Sequence, residues 1–157
     1  MLNQENIALY AFRKFGDTAL QAAYCATGSR EDAEDIAQEV FFALHRKPVQ
    51  FESDAHLKAY ILRAVMNRAK NLRKSLWSRM RTDVEDIADL PAEPDNSAEI
   101  LALIAALPQP YSAAVYLHDC AGYKIREIAE MLDARPNTVS AWLRRGHQRL
   151  RMELEPE

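Results

Sequence analysis

The chain has 157 residues, 48% of them hydrophobic and 27% charged, a composition typical of soluble globular proteins. This length suits one medium domain or two small ones. Uncharged stretches such as residues 100–117 are too short to span a bilayer, and this one contains Pro108 and Pro110. The N-terminus lacks the basic start and apolar core of a secretion signal. We therefore expect a cytoplasmic protein without membrane insertion.

The charges are sorted along the chain in a way that the net charge of −3 conceals. Residues 58–81 contain basic side chains and no acidic one, whereas residues 82–99 contain acidic side chains and no basic one. A second basic cluster closes the chain and consists of Arg144, Arg145, Arg149 and Arg151. A net acidic protein with two basic stretches is compatible with local binding of nucleic acid.

Helical periodicity dominates the sequence, and no segment alternates apolar and polar residues as a half-buried strand would. We predict an all-α fold. The first helix should cover about residues 4–26, with an interruption or bend near Gly16, and Gly28 should end it. Its core candidates are Tyr10, Phe12, Phe15, Leu20 and Tyr24. The next helix should begin after Ser29, whose side-chain oxygen can cap the free amides of its first turn. Helices are expected at about 30–46, from 54 onward, 97–106, 111–120, 125–132 and 136–152.

Residues 82–96 have the composition of a linker, with Pro91 and Pro94, many acids and few large apolar side chains. We therefore predict two small helical domains, residues 1–81 and 97–157, joined by an acidic flexible linker.

The last two predicted helices have the spacing of a helix-turn-helix, whose second helix enters the DNA major groove. On a helical wheel one face of that second helix is apolar or small and should be core: Val139, Leu143, Gly146 and Leu150. The opposite face combines short polar residues with arginines: Asn137, Ser140, Ala141, Arg144, Arg145 and Gln148. An isolated basic helix is often only a solvated face, but short side chains and guanine-binding arginines at a helix-turn-helix favour DNA contact.

The helix around residues 33–44 has an apolar face and an exposed face that carries Asp35, Gln38, Glu39 and Phe42. An exposed phenylalanine among carboxylates is typical of a protein interface, although a single exposed aromatic can also be harmless. The next helix carries Arg63, Arg68 and Lys70 without competing acids, which suits a groove for single-stranded DNA or a face turned to water.

The C-terminal motifs are similar to the promoter-binding domain of bacterial sigma factors. They comprise Leu107-Pro108, Gly122, residues 127–132 and Asn137-Thr138-Val139-Ser140. This resemblance implies that Ser140, Ala141, Arg144 and Arg145 contact the minus-thirty-five element. Two positions depart from the family pattern: Lys124 replaces a usual serine or threonine cap, and Asp133 replaces a frequent glycine.

Residues 32–41 resemble the family motif that docks on the clamp helices of the largest subunit of core RNA polymerase, which points to Asp35, Gln38, Glu39 and Phe42. Residues 59–71 resemble the segment that reads the melted minus-ten strand. Asn67 falls on the family's base pocket, with residues 51–56 as a wall. No domain lies between these two regions, as in the extracytoplasmic-function group. The resemblance implies core polymerase and promoter DNA as partners. It also suggests an anti-sigma factor, since such inhibitors are common in this family.

Two other classes of function compete with a sigma factor. A stand-alone helix-turn-helix regulator would form a symmetric dimer, and no obvious dimerisation segment is present. An enzyme would need a nucleophile and base, a phosphate-binding loop or a metal cluster, and none is evident, so we expect no catalytic residue, metal, cofactor or small-molecule substrate. We interpret Cys25 and Cys120 as small buried side chains, and the four scattered histidines as surface or boundary residues.

Overall fold

The computed structural model describes residues 6–75 and 97–154. Within these ranges every regular element is helical, which confirms the all-α prediction. The elements are α1 (Ile7–Thr27), α2 (Arg30–Arg46), α3 (Asp54–Ser75), α4 (Ser97–Ala105), α5 (Tyr111–Val115), which continues into a π-helical turn (Tyr116–Cys120, the π turn), α6 (Ile125–Leu132) and α7 (Pro136–Leu154). The predicted linker, residues 82–96, and the domain boundary at residue 81 lie outside the described residues.

The boundary between α1 and α2 follows from two capping residues. Gly28 adopts the left-handed conformation at φ 72°, and its amide donates to the carbonyl of Tyr24. The Ser29 side chain accepts a hydrogen bond from the Asp32 amide at 3.2 Å. Both were expected from the sequence, and they let α2 fold back along α1.

Helix α1 runs without interruption through Gly16, so of the interruption or bend predicted there the interruption was wrong. A glycine inside a helix costs only about 1 kcal/mol relative to alanine. Packing of α1 against both α2 and α3 outweighs that cost. The ring of Phe12 lies 3.5 Å from the point that a Gly16 Cβ would occupy.

The first three helices form one group around a shared apolar core, to which the loop before α3 contributes the fully buried Phe51. Its largest fully buried side chains also include Tyr24, Leu44, Leu57, Ile61 and Leu62.

Helices α5, α6 and α7 with the π turn form a second group. Val139 and Leu143 of α7 are buried, and Gly146 lets α7 approach α5 closely. A Cβ added to Gly146 would lie 2.6 Å from Cγ2 of Val115, so only glycine fits without a shift.

The two helical groups pack against each other at the C-terminal end of α1. The Cys25 carbonyl accepts hydrogen bonds from Nε2 of Gln109 at 2.8 Å and from the Ser112 hydroxyl. The Ala26 carbonyl accepts one from Arg73 at 3.2 Å. The last carbonyls of a helix lack partners within it, so these donors satisfy groups that would otherwise need water. Helix α3 also packs against α6.

Candidate nucleic-acid and protein interfaces

The exposed face of α7 has the composition predicted for a DNA-reading helix. Ser140, Arg144 and Arg145 are exposed and Ala141 is half-buried, while Val139, Leu143 and Gly146 are buried on the opposite side. This division agrees with the wheel prediction. The face therefore offers two arginines beside short side chains, which allow close approach to base edges.

The helix-turn-helix geometry survives both departures from the family pattern. Asp133 adopts the left-handed conformation at φ 54° and ψ 54°, which aspartate tolerates better than most residues. At the start of α6 the carboxylate of Glu127 accepts a hydrogen bond from the Lys124 amide at 2.8 Å. Glu127 therefore supplies one half of a capping box. The lysine side chain has no acceptor and cannot supply the other half.

Helix α2 exposes the four residues predicted for polymerase binding on one surface. Asp35, Gln38, Glu39 and Phe42 are all exposed, and Phe42 is 58% exposed. The apolar face of the same helix is buried: Ala33, Ala37, Val40, Phe41 and Leu44.

Phe12 of α1 extends this surface, although the sequence suggested a core position for it. Its side chain is 58% exposed and lies edge-on to Phe41, with ring centroids 5.5 Å apart. Phe12, Leu9 and Phe42 line one groove between α1 and α2. Phe12 follows buried Ala8 by four residues and precedes buried Phe15 by three, so helical periodicity places it on the buried face of α1. Its exposure depends on where α2 lies against α1, which periodicity does not show.

Helix α3 displays the residues predicted for minus-ten recognition. Arg63 and Asn67 are exposed, and Arg68 and Lys70 are half-buried. Nε of Arg68 lies 3.6 Å from Oε1 of Glu39 on α2, so the two predicted surfaces adjoin.

Asn67 opens onto a cleft between the two helical groups. Trp142 of α7 and Asp133 line the same cleft, and Nζ of Lys70 lies 3.9 Å from Oδ2 of Asp133. In this arrangement the second group covers part of the surface around Asn67. Trp142 is half-buried here.

A polar cluster fixes the start of α3 against α1. Oδ1 of Asp54 accepts a hydrogen bond from the Tyr10 hydroxyl at 2.6 Å, and Oδ2 lies 3.0 Å from Nζ of Lys14. The hydrogen bonds from Tyr10 and Lys14 hold the pKa of Asp54 below its ordinary value. The same contact raises the pKa of Tyr10.

The expectation of burial was wrong for one of the two cysteines, whereas the four histidines lie at the surface or its boundary as expected. Cys25 is buried as predicted, and burial raises the pKa of its thiol well above the usual value, but Cys120 is exposed. The histidines are scattered in sequence, yet the fold brings His118 and His147 together around Asp119. None of the helices in the described ranges is long and apolar enough to cross a membrane.

Family models match both halves of the chain. The model for sigma-70 region 2 matches residues 11–79, and the model for sigma-70 region 4 matches residues 97–150. The chain belongs to the sigma-70 family.

Curated relatives come from the extracytoplasmic-function (ECF) group. The chain is 31% identical over 150 residues to the ECF RNA polymerase sigma factor SigE of Mycolicibacterium smegmatis, with 88% of this chain and 58% of the relative covered. It is 27% identical over 142 residues to SigM of Mycobacterium tuberculosis, with 88% of this chain and 72% of the relative covered. The chain thus spans little more than half the length of the first relative.

Two solved structures share the fold. The sigma factor RpoE in complex with the anti-sigma factor NepR from Bartonella quintana matches with a TM-score of 0.68 at 18% identity, covering 91% of this chain and 95% of that one. The sigma factor SigJ of Mycobacterium tuberculosis matches with a TM-score of 0.60 at 19% identity, covering 91% of this chain and 53% of that one.

Proposed function

We propose that this chain is a promoter-specificity factor that binds core RNA polymerase in the cytoplasm and directs transcription initiation without catalysing a reaction itself. One observation carries the proposal: a single chain combines an exposed face of arginines and short side chains on α7 with an exposed aromatic among polar groups on α2 and a basic helix, α3, next to it. A stand-alone DNA-binding protein needs neither the α2 surface nor the basic helix α3.

The surface formed by Asp35, Gln38, Glu39 and Phe42 binds the clamp helices of the largest polymerase subunit. Its centre is an exposed aromatic side chain surrounded by polar groups, the arrangement common at protein interfaces. Phe12 and Leu9 of the adjoining groove add apolar area to the same contact.

Ser140, Ala141, Arg144 and Arg145 read the minus-thirty-five duplex. Arginine can form paired hydrogen bonds with guanine, and the small side chain of Ala141 allows close approach to the groove. Arg144 and Arg145 are both exposed. Val139 and Leu143 on the opposite face of α7 are buried and pack it into the second helical group.

Asn67 binds a base of the melted minus-ten strand, while Arg63, Arg68 and Lys70 neutralise its phosphates. An asparagine side chain offers a donor and an acceptor to a base edge. Because Trp142 and Asp133 line the same cleft as Asn67, separation of the two helical groups gives a DNA strand wider access to it. Residues 1–81 and 97–157 are accordingly proposed as two domains that move apart, with residues 82–96 as the linker.

An anti-sigma factor is a further proposed partner. The neighbouring RpoE structure contains such an inhibitor, NepR. The groove lined by Leu9, Phe12 and Phe42 offers apolar side chains that an inhibitor could cover in competition with polymerase.

Binding to core polymerase tests this function directly. We expect the labelled chain to bind core enzyme, and Phe42→Ala to weaken that binding while Phe42→Leu retains part of it. Gln148→Ala, an exposed change on α7, is the matched control. A chain that ignores core polymerase but forms a symmetric dimer on a palindromic DNA site would instead be a stand-alone regulator.

A further inference from the structure

Three potential metal ligands converge where the π turn meets α7. Nδ1 of His118 lies 2.6 Å from Oδ1 of Asp119, and Nε2 of His147 lies 2.8 Å from Oδ2 of the same carboxylate. The candidate ligand atoms of the three side chains all lie within 4.8 Å of one another. Among the residues that the structure describes, this is the one place where three such groups meet.

Two imidazole nitrogens and one carboxylate oxygen are a donor set that suits zinc. In open zinc sites Zn²⁺ binds three such protein ligands and completes its tetrahedral shell with water, whereas closed structural sites use four protein ligands. Imidazole also binds cobalt and nickel, whereas calcium and magnesium prefer oxygen ligands alone. The donor set therefore indicates a transition metal of the zinc type.

The three ligand atoms, which lie within 4.8 Å of one another, need shifts on the order of 1 Å to reach the spacing of an occupied site. Around a tetrahedral zinc ion with bonds of about 2.0–2.2 Å, the ligand atoms lie roughly 3.3–3.5 Å apart. The two nitrogen–oxygen contacts would lengthen by less than about 1 Å to meet this spacing. The three side chains are 36–42% exposed, so an ion can reach them from solvent and they can rotate. With an ion on Nδ1, the ring proton of His118 resides on Nε2.

We propose that His118, Asp119 and His147 form a zinc-binding site that joins the π turn to α7. His118 and Asp119 precede α6, and His147 lies one turn beyond Arg144 on α7. A bound ion therefore links the segment before α6 to α7. It stabilises the folded second group, because a ligand that binds only the folded state shifts the unfolding equilibrium. The site does not depend on promoter recognition, and its binding is measured on the chain alone.

Calorimetric titration of the full-length chain with zinc chloride tests the site. We expect saturable binding of one ion per chain. His147→Gln and Asp119→Asn should each weaken zinc affinity at least about tenfold, since even removing a group that merely orients a ligand costs that much. His45→Gln, on α2, removes an exposed histidine elsewhere and should leave the affinity unchanged.

Cys120 is the neighbouring group that could bind zinc instead, because it is exposed and follows Asp119. Cys120→Ser should retain zinc binding if the proposed ligands are correct. Loss of binding in Cys120→Ser with full retention in His147→Gln would overturn the assignment, as would the absence of saturable binding or an equal effect of His45→Gln.

Thermal unfolding gives a second readout. Zinc should raise the Tm of the wild-type chain and leave that of His147→Gln unchanged, with circular dichroism to check that the variant is helical. If His147→Gln fails to fold, His118→Gln replaces it in both measurements. Equal zinc-induced shifts in the wild type and a folded ligand variant would contradict the site.

Discussion

Glu39 of α2 and Arg68 of α3 form an ion pair, with Oε1 of Glu39 3.6 Å from Nε of Arg68. Glu39 belongs to the proposed polymerase surface and Arg68 to the proposed minus-ten surface. Both side chains are partly exposed, and such pairs contribute only about 0–1 kcal/mol to stability. The pair therefore adds little stability, but it shows that the two surfaces lie side by side on adjacent helices.

Replacing Glu39 should weaken polymerase binding without lowering the stability of the fold. We expect Glu39→Ala to weaken core polymerase binding by about tenfold, the loss typical of a contributing interface residue. Initiation should therefore fall at every promoter. The Tm should change little because the ion pair is exposed. Fluorescence titration with core polymerase measures the affinity. Unchanged affinity for Glu39→Ala would remove this residue from the interface.

Replacing Arg145 should affect one promoter more than another. A lost bidentate contact with guanine costs about 1–3 kcal/mol at the base concerned. Arg145→Ala should therefore reduce open-complex formation preferentially on promoters that carry that base. Arg151→Ala, an exposed change in the last turns of the same helix, is the control. An equal loss at every promoter would show that Arg145 contacts only the phosphate backbone.

Replacing Gly146 should destabilise the second helical group. An alanine Cβ would lie 2.6 Å from Val115 Cγ2, and overpacking of this kind costs about 1–3 kcal/mol. Alanine gains about 1 kcal/mol in helix propensity, which offsets part of this cost, so the Tm of Gly146→Ala should fall by a few degrees, at about 2–4 °C per kcal/mol for a chain of this size. Gln148→Ala, two residues along α7 and exposed, should leave the Tm almost unchanged. A raised Tm in Gly146→Ala would mean that α5 and α7 are not in close contact.

The Asp54 cluster predicts a specific pH dependence. The pKa of Asp54 is lower in the folded chain than its ordinary value of 3.8, so its contribution to stability is present above that value and is lost as the pH falls through the lowered pKa. Tyr10→Phe removes the hydroxyl that donates to Asp54 and should raise the Asp54 pKa. A carboxyl NMR titration measures both values. The same Asp54 pKa in both chains would contradict the role of Tyr10.

The hydrogen bonds on the Cys25 carbonyl should hold the two helical groups together. Gln109→Ala combined with Ser112→Ala removes both donors, each worth about 0.5–1.5 kcal/mol. Amide hydrogen exchange in α3 and α6 should then become faster, and promoter binding with core polymerase should become tighter. Unchanged exchange would show that these bonds do not control the separation of the groups.

The periodicity of the sequence was sufficient to predict the faces of α2 and α7. In both helices a residue's burial depends mainly on its angle around the helix axis, and the inward positions Val40 and Leu143 are indeed buried. Gly28 and Ser29 were equally readable because each acts on its immediate neighbours. Local pattern therefore accounts for the elements and for the two predicted interface faces.

Contacts between distant segments could not be predicted in this way. Nothing near His118 indicates that His147 lies beside it, because that contact depends on how the π turn meets α7. The hydrogen bond from Gln109 to Cys25 likewise depends on how the two groups pack together. Phe12 was misassigned although its angle on α1 is that of the buried positions, because its exposure depends on how α2 packs beside α1.

Single-round transcription from a promoter library, with core RNA polymerase in the presence and absence of this chain, tests the central claim most directly. We expect initiation only when the chain is present, at promoters that share one pair of elements near minus thirty-five and minus ten, with Glu39→Ala reducing all of them. Initiation that is the same with and without the chain would contradict the proposal that it is a promoter-specificity factor.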